Sequence, residues 1–383
     1  MNAPVVDLWL EVDQQEAVIE TDGMRETVDF VAPVDEAELG TLTSPLVFKQ
    51  TSGNVESDFA RDIGTRLFGA VFAAGGARVY AHAIGAAEQL GVGVRFRVVV
   101  GTPALQALPW ELLYDREIHR DFLALTPKFS VVRQLRRVTP TSAPTDKPGV
   151  LVVGTGEDLA LWSSTGAAAD VVPEIPASDE LSQVLHLVPR SVPLDTREVF
   201  KDLSGRRPPR LLIVDGFPTD LVAAELAAQV PAVLGFRTGS DKANRNVFMS
   251  ALCSALADHG DVEWAVAAGR GAVDVAEPGR PDWSFPVFYR AETQPPPVQL
   301  RLHPRPRADE PARREPAAAT PLRPELQDQV TYLELRLRIT RENIDTLVQR
   351  WPSQASMPDQ IRAQLDELRS AETTHQTQLA GLT

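Results

Sequence analysis

Cysteine occurs once in the 383 residues, at Cys253, so no disulfide can form within the chain and no cysteine-based zinc site can be built. Lysine is scarce as well, five against 33 arginines, and basic residues as a group fall short of acidic ones. Thirty-eight Lys plus Arg oppose 52 Asp plus Glu, for a net charge of −14. So acidic a chain lacks the dense cationic surface that gives nonspecific grip on DNA or RNA, and nucleic acid is not an expected partner. Nowhere do about 18 apolar residues run together, and the first residues hold no basic stretch followed by an apolar core. The expectation is a soluble, cytoplasmic protein without a membrane partner. Metal patterns are missing too: His82, His119, His186, His259, His303 and His375 form no His-Glu-x-x-His pair, so no metal or cofactor is expected.

What is present is 43% hydrophobic residues, enough for two or three folded domains and too much for a disordered chain. Val6, Leu8, Leu10 and Val12 alternate with polar neighbours and predict a half-buried strand. Phe59, Ile63, Leu67 and Val71 recur at helical spacing, and Arg95 to Val100 is a short β-rich run. Helix-sized stretches follow at about 219–229 and 242–258. Around them lie three short apolar runs, Val150–Val153, Leu211–Val214 and Ala232–Gly235. Such runs with helices between them predict an α/β fold, a mostly parallel sheet flanked by helices on both faces.

Composition then changes. Residues 293–324, opening on Pro295-Pro296-Pro297 and punctuated by Pro304, Pro306, Pro311, Pro316, Pro321 and Pro324, predict a semi-stiff linker, because proline removes backbone donors and fixes φ. Residues 325–383 read as helix. Leu326, Val330, Leu333, Leu337, Thr340, Ile344 and Leu347 alternate spacings of four and three, the seam of a coiled coil. Pro352 stops this first arm, roughly 40 Å long at 1.5 Å per residue. A second arm carries Ile361, Leu365, Leu368, Glu372, His375, Leu379 and Leu382 at the same alternation. The two predict an antiparallel two-helix hairpin, which buries too little alone and needs the body or another chain, including a second copy, as its third surface.

The most specific residues lie in the body. Leu108-Pro109-Trp110-Glu111-Leu112-Leu113-Tyr114-Asp115 is followed by Phe122–Leu125 and Val131-Val132-Arg133, with Arg95-Phe96-Arg97 and Pro103 upstream. Val230–Arg237, Ala268-Gly269-Arg270 and Asp282–Tyr289 extend the series. Over residues 5–292 it resembles the CHAT family of bacterial caspase-like proteins. The resemblance implies a caspase-like cysteine peptidase fold, with residues 1–145 as its first part and 146–292 as its α/β core. Active members of that family carry a histidine at the end of one central strand and a cysteine at the end of the next. The thiolate attacks the carbonyl, and the imidazole lowers its pKa and moves the proton.

Neither residue stands at a matching position. In one alignment Leu211–Val214 is the histidine strand, ends in Asp215-Gly216-Phe217, and the cysteine strand is missing. In the other, Val184–Leu187 is the histidine strand and Leu211–Val214 the cysteine strand. His186 then lies too early, Arg190 takes the histidine position, and Gly216 or Phe217 takes that of cysteine. The first is favoured, since Asp179–Val188 reads better as a helix. Both remove the catalytic pair, so no catalytic residue is expected.

Other candidates weigh lightly. Cys253 sits among Met249, Leu252 and Leu256 and reads as a small core hydrophobe; the rival is a working peptidase in which His186 or His259 serves it. Gly154-Thr155-Gly156 lacks the third glycine of a dinucleotide fingerprint and the Lys-Ser or Lys-Thr of a phosphate loop, so it reads as a strand-to-loop turn. Asp215 reads as an exposed loop aspartate, with a small-ligand cleft near Asp215 and Gly154 as a third possibility. Trp110, Glu111 and Tyr114 are expected to bury their bodies and satisfy their polar tips between the two halves of the domain. The function expected on this resemblance is that of a pseudopeptidase, an adaptor or regulatory subunit binding protein partners through its body and hairpin, in a bacterial defence setting.

Overall fold

The computed structural model describes residues 5–13, 15–43, 53–73, 75–126, 128–134, 144–154, 156–176, 181–188, 196–203, 205–215, 220–237, 242–291, 300 and 302, with 369, 372, 373, 376, 377 and 380 near the C-terminus. Two compact units divide the chain, 1–274 with 278–306, and 275–277 with 307–383.

In the first unit the chain opens with β1 (Val5–Val12), β2 (Glu16–Thr21), β3 (Met24–Asp29), α1 (Glu36–Thr43), α2 (Gly53–Val71), α3 (Gly75–Leu90), β4 (Gly93–Val100) and α4 (Pro103–Ala107). A 3-10 turn, Trp110–Leu112, leads to β5 (Tyr114–Asp115), β6 (Asp121–Phe122) and β7 (Phe129–Gln134). Then come β8 (Val150–Val153), α5 (Gly156–Ser163), β9 (Ala169–Val172), β10 (Val184–Leu187), α6 (Thr196–Leu203), β11 (Leu211–Val214), α7 (Asp220–Leu226) and β12 (Ala232–Phe236). The unit closes with α8 (Lys242–His259), α9 (Val262–Ala276), a 3-10 turn Pro281–Ser284 and β13 (Pro286–Arg290).

The fold is α/β. One eleven-stranded sheet runs in the order β3-β2-β1-β4-β7-β13-β12-β11-β10-β8-β9. β1, β4, β7 and β13 are parallel to one another, and so are β12, β11, β10, β8 and β9; the two sets meet antiparallel at β13 and β12. In the second set chain order reverses between β8 and β10, the kind of switch point outside which α/β sheets form clefts. Alternation along these strands sorts the layers. Leu185, Leu187, Leu212 and Val214 join Val199, Leu203, Ala223 and Leu226 of α6 and α7 in one core cluster. His186 and Ile213, pairing partners of the intervening parity, face the other way.

The expected strand at residues 6–12 is β1, with Val6, Leu8, Leu10 and Val12 all buried. The expected helix over Asp179–Val188 is not formed. Val184–Leu187 is instead β10, paired in register with Val150–Val153 on one side and Leu211–Val214 on the other. All four residues are buried, so the run carries no period, and pairing with two neighbours outweighs any local helix preference. The helix that favoured the first alignment is thus absent, while the helix that alignment places before Leu211–Val214 is present as Thr196–Leu203, and Leu211–Val214 has a complete neighbouring strand in β10.

Two residues of the expected linker, Leu300 and Leu302, are buried, and the Leu300 N–H donates to Gly260 O at 2.8 Å. Gly260 has φ +69°, and a Cβ there would lie 2.2 Å from Leu300 O, so this close approach requires glycine. In the second unit, Thr373 Oγ1 donates to Arg369 O at 2.9 Å and Thr377 Oγ1 to Thr373 O at 2.8 Å, four-residue contacts of a helix. Otherwise the linker and both arms of the expected hairpin lie outside the described residues. Among the described residues no single helix is long and apolar enough to cross a membrane.

Candidate functional site

The carboxyl edge of β10 and β11, next to the switch point, gathers polar groups from four elements. His186 is the third residue of β10, held between Val152 and Ile213. Asp215 follows β11, and its N–H donates to Leu187 O at 2.8 Å, which extends the ladder by one residue and fixes Asp215 beside the end of β10. Residues 211, 213 and 215 share a face, so Asp215 and His186 lie on the same side of the sheet.

From α5 the Trp162 indole N–H donates to His186 Nδ1 at 3.2 Å. An indole nitrogen can only donate, so Nδ1 must present its lone pair, and the proton of the neutral ring sits on Nε2. That nitrogen is 3.5 Å from Asp215 Oδ2, and Asp215 Oδ1 is 3.1 Å from Arg245 Nε on α8. The result is a chain Trp162–His186–Asp215–Arg245 in which Trp162 and His186 are fully buried. A carboxylate that orients an imidazole is half of an acid–base device. Here the far nitrogen, which would take the proton from a nucleophile, is already occupied by an indole.

Cys253 sits on α8, fully buried. Burial pushes its thiol well up, and the negative charge of Asp215 pushes in the same direction. Both oppose the thiolate that a cysteine nucleophile requires. Among the described residues no hydrogen bond joins Cys253 to an imidazole. His259, on the same helix, is exposed and packs edge-on against Trp264, ring centroids 4.4 Å apart. His186 instead has Trp162 on Nδ1 and Asp215 facing Nε2.

Asp215 is not the exposed loop aspartate expected: it is buried and tied to Arg245, because α8 carries that guanidinium back over the sheet edge. Gly154 N–H donates to Val172 O at 3.2 Å and α5 begins at Gly156, an ordinary strand-to-helix turn. Around Asp215 the described polar neighbours are thus His186 and Arg245. Arg190, Gly216 and Phe217, like Thr155, His303 and His375, lie outside the described residues. Trp162 and Arg245 were not singled out from sequence. The available signal for Trp162 was a tryptophan on a short helix after a buried strand, whose N–H burial obliges it to place.

A second buried cluster joins the segments on which the family resemblance rests. Trp110 is fully buried with its indole N–H donating to Leu105 O at 2.8 Å. Glu111 accepts a bidentate pair from Arg133, Nε at 3.0 Å and Nη2 at 2.6 Å, with both residues wholly buried. Arg270 approaches Glu111 Oε1 to 3.9 Å and donates to Pro286 O at 2.9 Å, while Arg237 donates to Ala107 O. Burial by itself would raise the Glu111 carboxyl, but the guanidiniums of Arg133, Arg270 and Arg237 overcome it and hold the group below the usual carboxylate range. Burial lowers Arg270 to about 10 against the pull of Glu111. Trp283 packs on Phe122 with ring centroids 4.9 Å apart, and the half-buried Tyr114 donates its hydroxyl to Arg120 O at 2.8 Å. Glu111 thus ties Arg133 of the first half of the body to Arg270 of the second, and the Arg237 bond to Ala107 O joins the same halves.

Among the described residues no three His, Cys, Asp or Glu side chains converge as a metal ion requires. Compared with known proteins, the chain matches no family model and no curated protein.

Proposed function

We propose that this chain is a catalytically degenerate CHAT-like protein, a caspase-like scaffold without its peptidase pair, serving as an adaptor or regulatory subunit in the cytoplasm of a bacterium, in a defence system. One observation carries the reading. β10 and β11 are neighbouring parallel strands, the pair on which the second alignment seats the family's imidazole and thiol. Asp215 follows β11, the thiol position of that alignment falls on Gly216 or Phe217 and so holds no cysteine, and His186 of β10 has Trp162 on one nitrogen and Asp215 facing the other. The lone thiol of the chain is in the core. The convergence of Glu111, Arg133, Arg270, Arg237 and Trp283 supports the family resemblance, because separate quoted segments meet in one buried place. On this reading the body and the hairpin of residues 325–383 take protein partners.

The experiment pairs a peptidase assay on a fluorogenic peptide library with affinity capture. Wild type and Cys253→Ala are expected to be equally inactive, and removal of residues 325–383 is expected to abolish partner capture. Cleavage by wild type that disappears in Cys253→Ala would overturn the proposal and make the chain a working peptidase.

A further inference from the structure

A network unrelated to the sheet edge described above lies on the other strand set, on the face of β1, β4 and β7 that Arg95 and Arg97 share. Three guanidiniums, Arg95 and Arg97 of β4 and Arg290 of β13, are wholly or almost wholly buried there. Two carboxylates answer them. Asp7 of β1 lies 3.2 Å from Arg95 Nη1 and 2.8 Å from Arg97 Nε, and Glu263 of α9 lies 2.6 Å from Arg95 Nε and also pairs with Arg290. Nearby Asp261 accepts from the Trp264 N–H at 3.0 Å and caps α9, and its carboxylate also lies in the field of Arg95 and Glu263.

Donors are left over. Arg95 uses Nε on Glu263 and Nη1 on Asp7, and its Nη2 has no acceptor among the described residues. Gln134 of β7 accepts from Arg97 Nη1 through Oε1 at 3.3 Å, which fixes the orientation of its amide and leaves Nε2 as a donor without an acceptor among the described residues. Both side chains are 1% exposed. Buried donors, one of them on a cation, are costly to leave unanswered. The two stand on adjacent strands of one face, to either side of Arg97, where three guanidiniums share the two carboxylates hydrogen-bonded to them. An acceptor-only, negatively charged group answers that arrangement, and guanidinium forks match planar or tetrahedral oxygens.

We infer that this face holds a binding site for a small oxyanion, a carboxylate or phosphate group, received by Arg95 Nη2 and Gln134 Nε2. Asp7, 31% exposed, and the half-buried Trp9, whose ring lies 4.6 Å from the Arg97 guanidinium carbon, mark its solvent side. The inference does not depend on the pseudopeptidase reading.

Calorimetric titration of the full-length protein with inorganic phosphate, and separately with acetate, tests it, in chloride buffer of constant ionic strength. Saturable binding at one site per chain is expected for at least one of the two, and which one binds assigns the oxyanion. Arg95→Lys keeps the charge for Glu263 and Asp7 but has no Nη2, and Gln134→Leu removes the second donor. Each is expected to weaken binding roughly tenfold or more, as loss of one charge-assisted hydrogen bond does. Should Arg95→Lys lose its cooperative melt, Gln134→Leu decides alone. No saturable heat with either anion, or equal affinity in wild type and Gln134→Leu, overturns the inference.

Discussion

Replacing Glu111 with glutamine tests the buried tie that joins Glu111 to Arg133 and Arg270. The substitution keeps size and shape but removes the charge that faces Arg133, two bonds of 3.0 and 2.6 Å between wholly buried groups, and leaves Arg270 without its carboxylate as well. Breaking a buried pair by deleting one partner costs about 3–5 kcal/mol, a large part of the roughly 5–15 kcal/mol that stabilises a folded domain. The midpoint of thermal unfolding should fall by roughly 6–20 °C. Acid supplies the sign check. The Glu111 carboxyl is held below its usual range, so its contribution is complete above the unfolded value of about 4.3 and is lost as pH falls through the folded one. Urea unfolding of wild type and Glu111→Gln should therefore differ most near neutral pH, with the gap closing in acid. Glu111→Leu combined with Arg133→Met should recover much of the loss, since an apolar pair needs no charge compensation. A cost under about 1 kcal/mol at neutral pH, against the range expected of a broken buried pair, would refute the reasoning. So would a gap that does not narrow in acid.

Trp162→Phe removes the indole donor while keeping an aromatic ring against His186. A loss of about 1–2 kcal/mol is expected for the unsatisfied acceptor, with imidazole nitrogen NMR showing the fixed Nε2–H tautomer give way to a mixture. An unchanged tautomer would show that Trp162 does not set it. Gly260→Ala places a Cβ 2.2 Å from Leu300 O at a backbone of φ +69°. Stability should fall by about 1 kcal/mol or more, and limited proteolysis between residues 291 and 302 should accelerate. A cleavage pattern identical to wild type would contradict the docking of Leu300.

The parts of the fold legible in the sequence are those with a period or a length. β1 could be read because one face is buried and the other is not, so Val6 to Val12 alternate. β8, β11 and β12 could be read because four or five aliphatic residues between turns are too short for a helix. β10 is equally short, but His186 interrupts its apolar run and the acidic and polar residues before it mimic a helix start. Its identity is settled by pairing with β8 and β11, which no local pattern encodes. The hairpin of β2 and β3 turns at Asp22-Gly23, with Gly23 at φ +75°, a dipeptide that encodes a tight turn locally. The site was less legible. Asp215 is placed at the sheet edge by the strand it follows, but its burial depends on Arg245, thirty residues later. The Glu111 cluster was legible as a buried tie between halves; its partners Arg133 and Arg270 could be named only as members of the same resemblance.

The central claim is that the only thiol of the chain is a core group and not a nucleophile. Alkylation of the folded protein by iodoacetamide between pH 6 and 9 measures this directly. With the Cys253 thiol buried and pushed upward, the account predicts no modification until the protein unfolds, at a rate set by unfolding and independent of reagent concentration. Rapid modification of the folded protein, titrating below neutral pH, would contradict it.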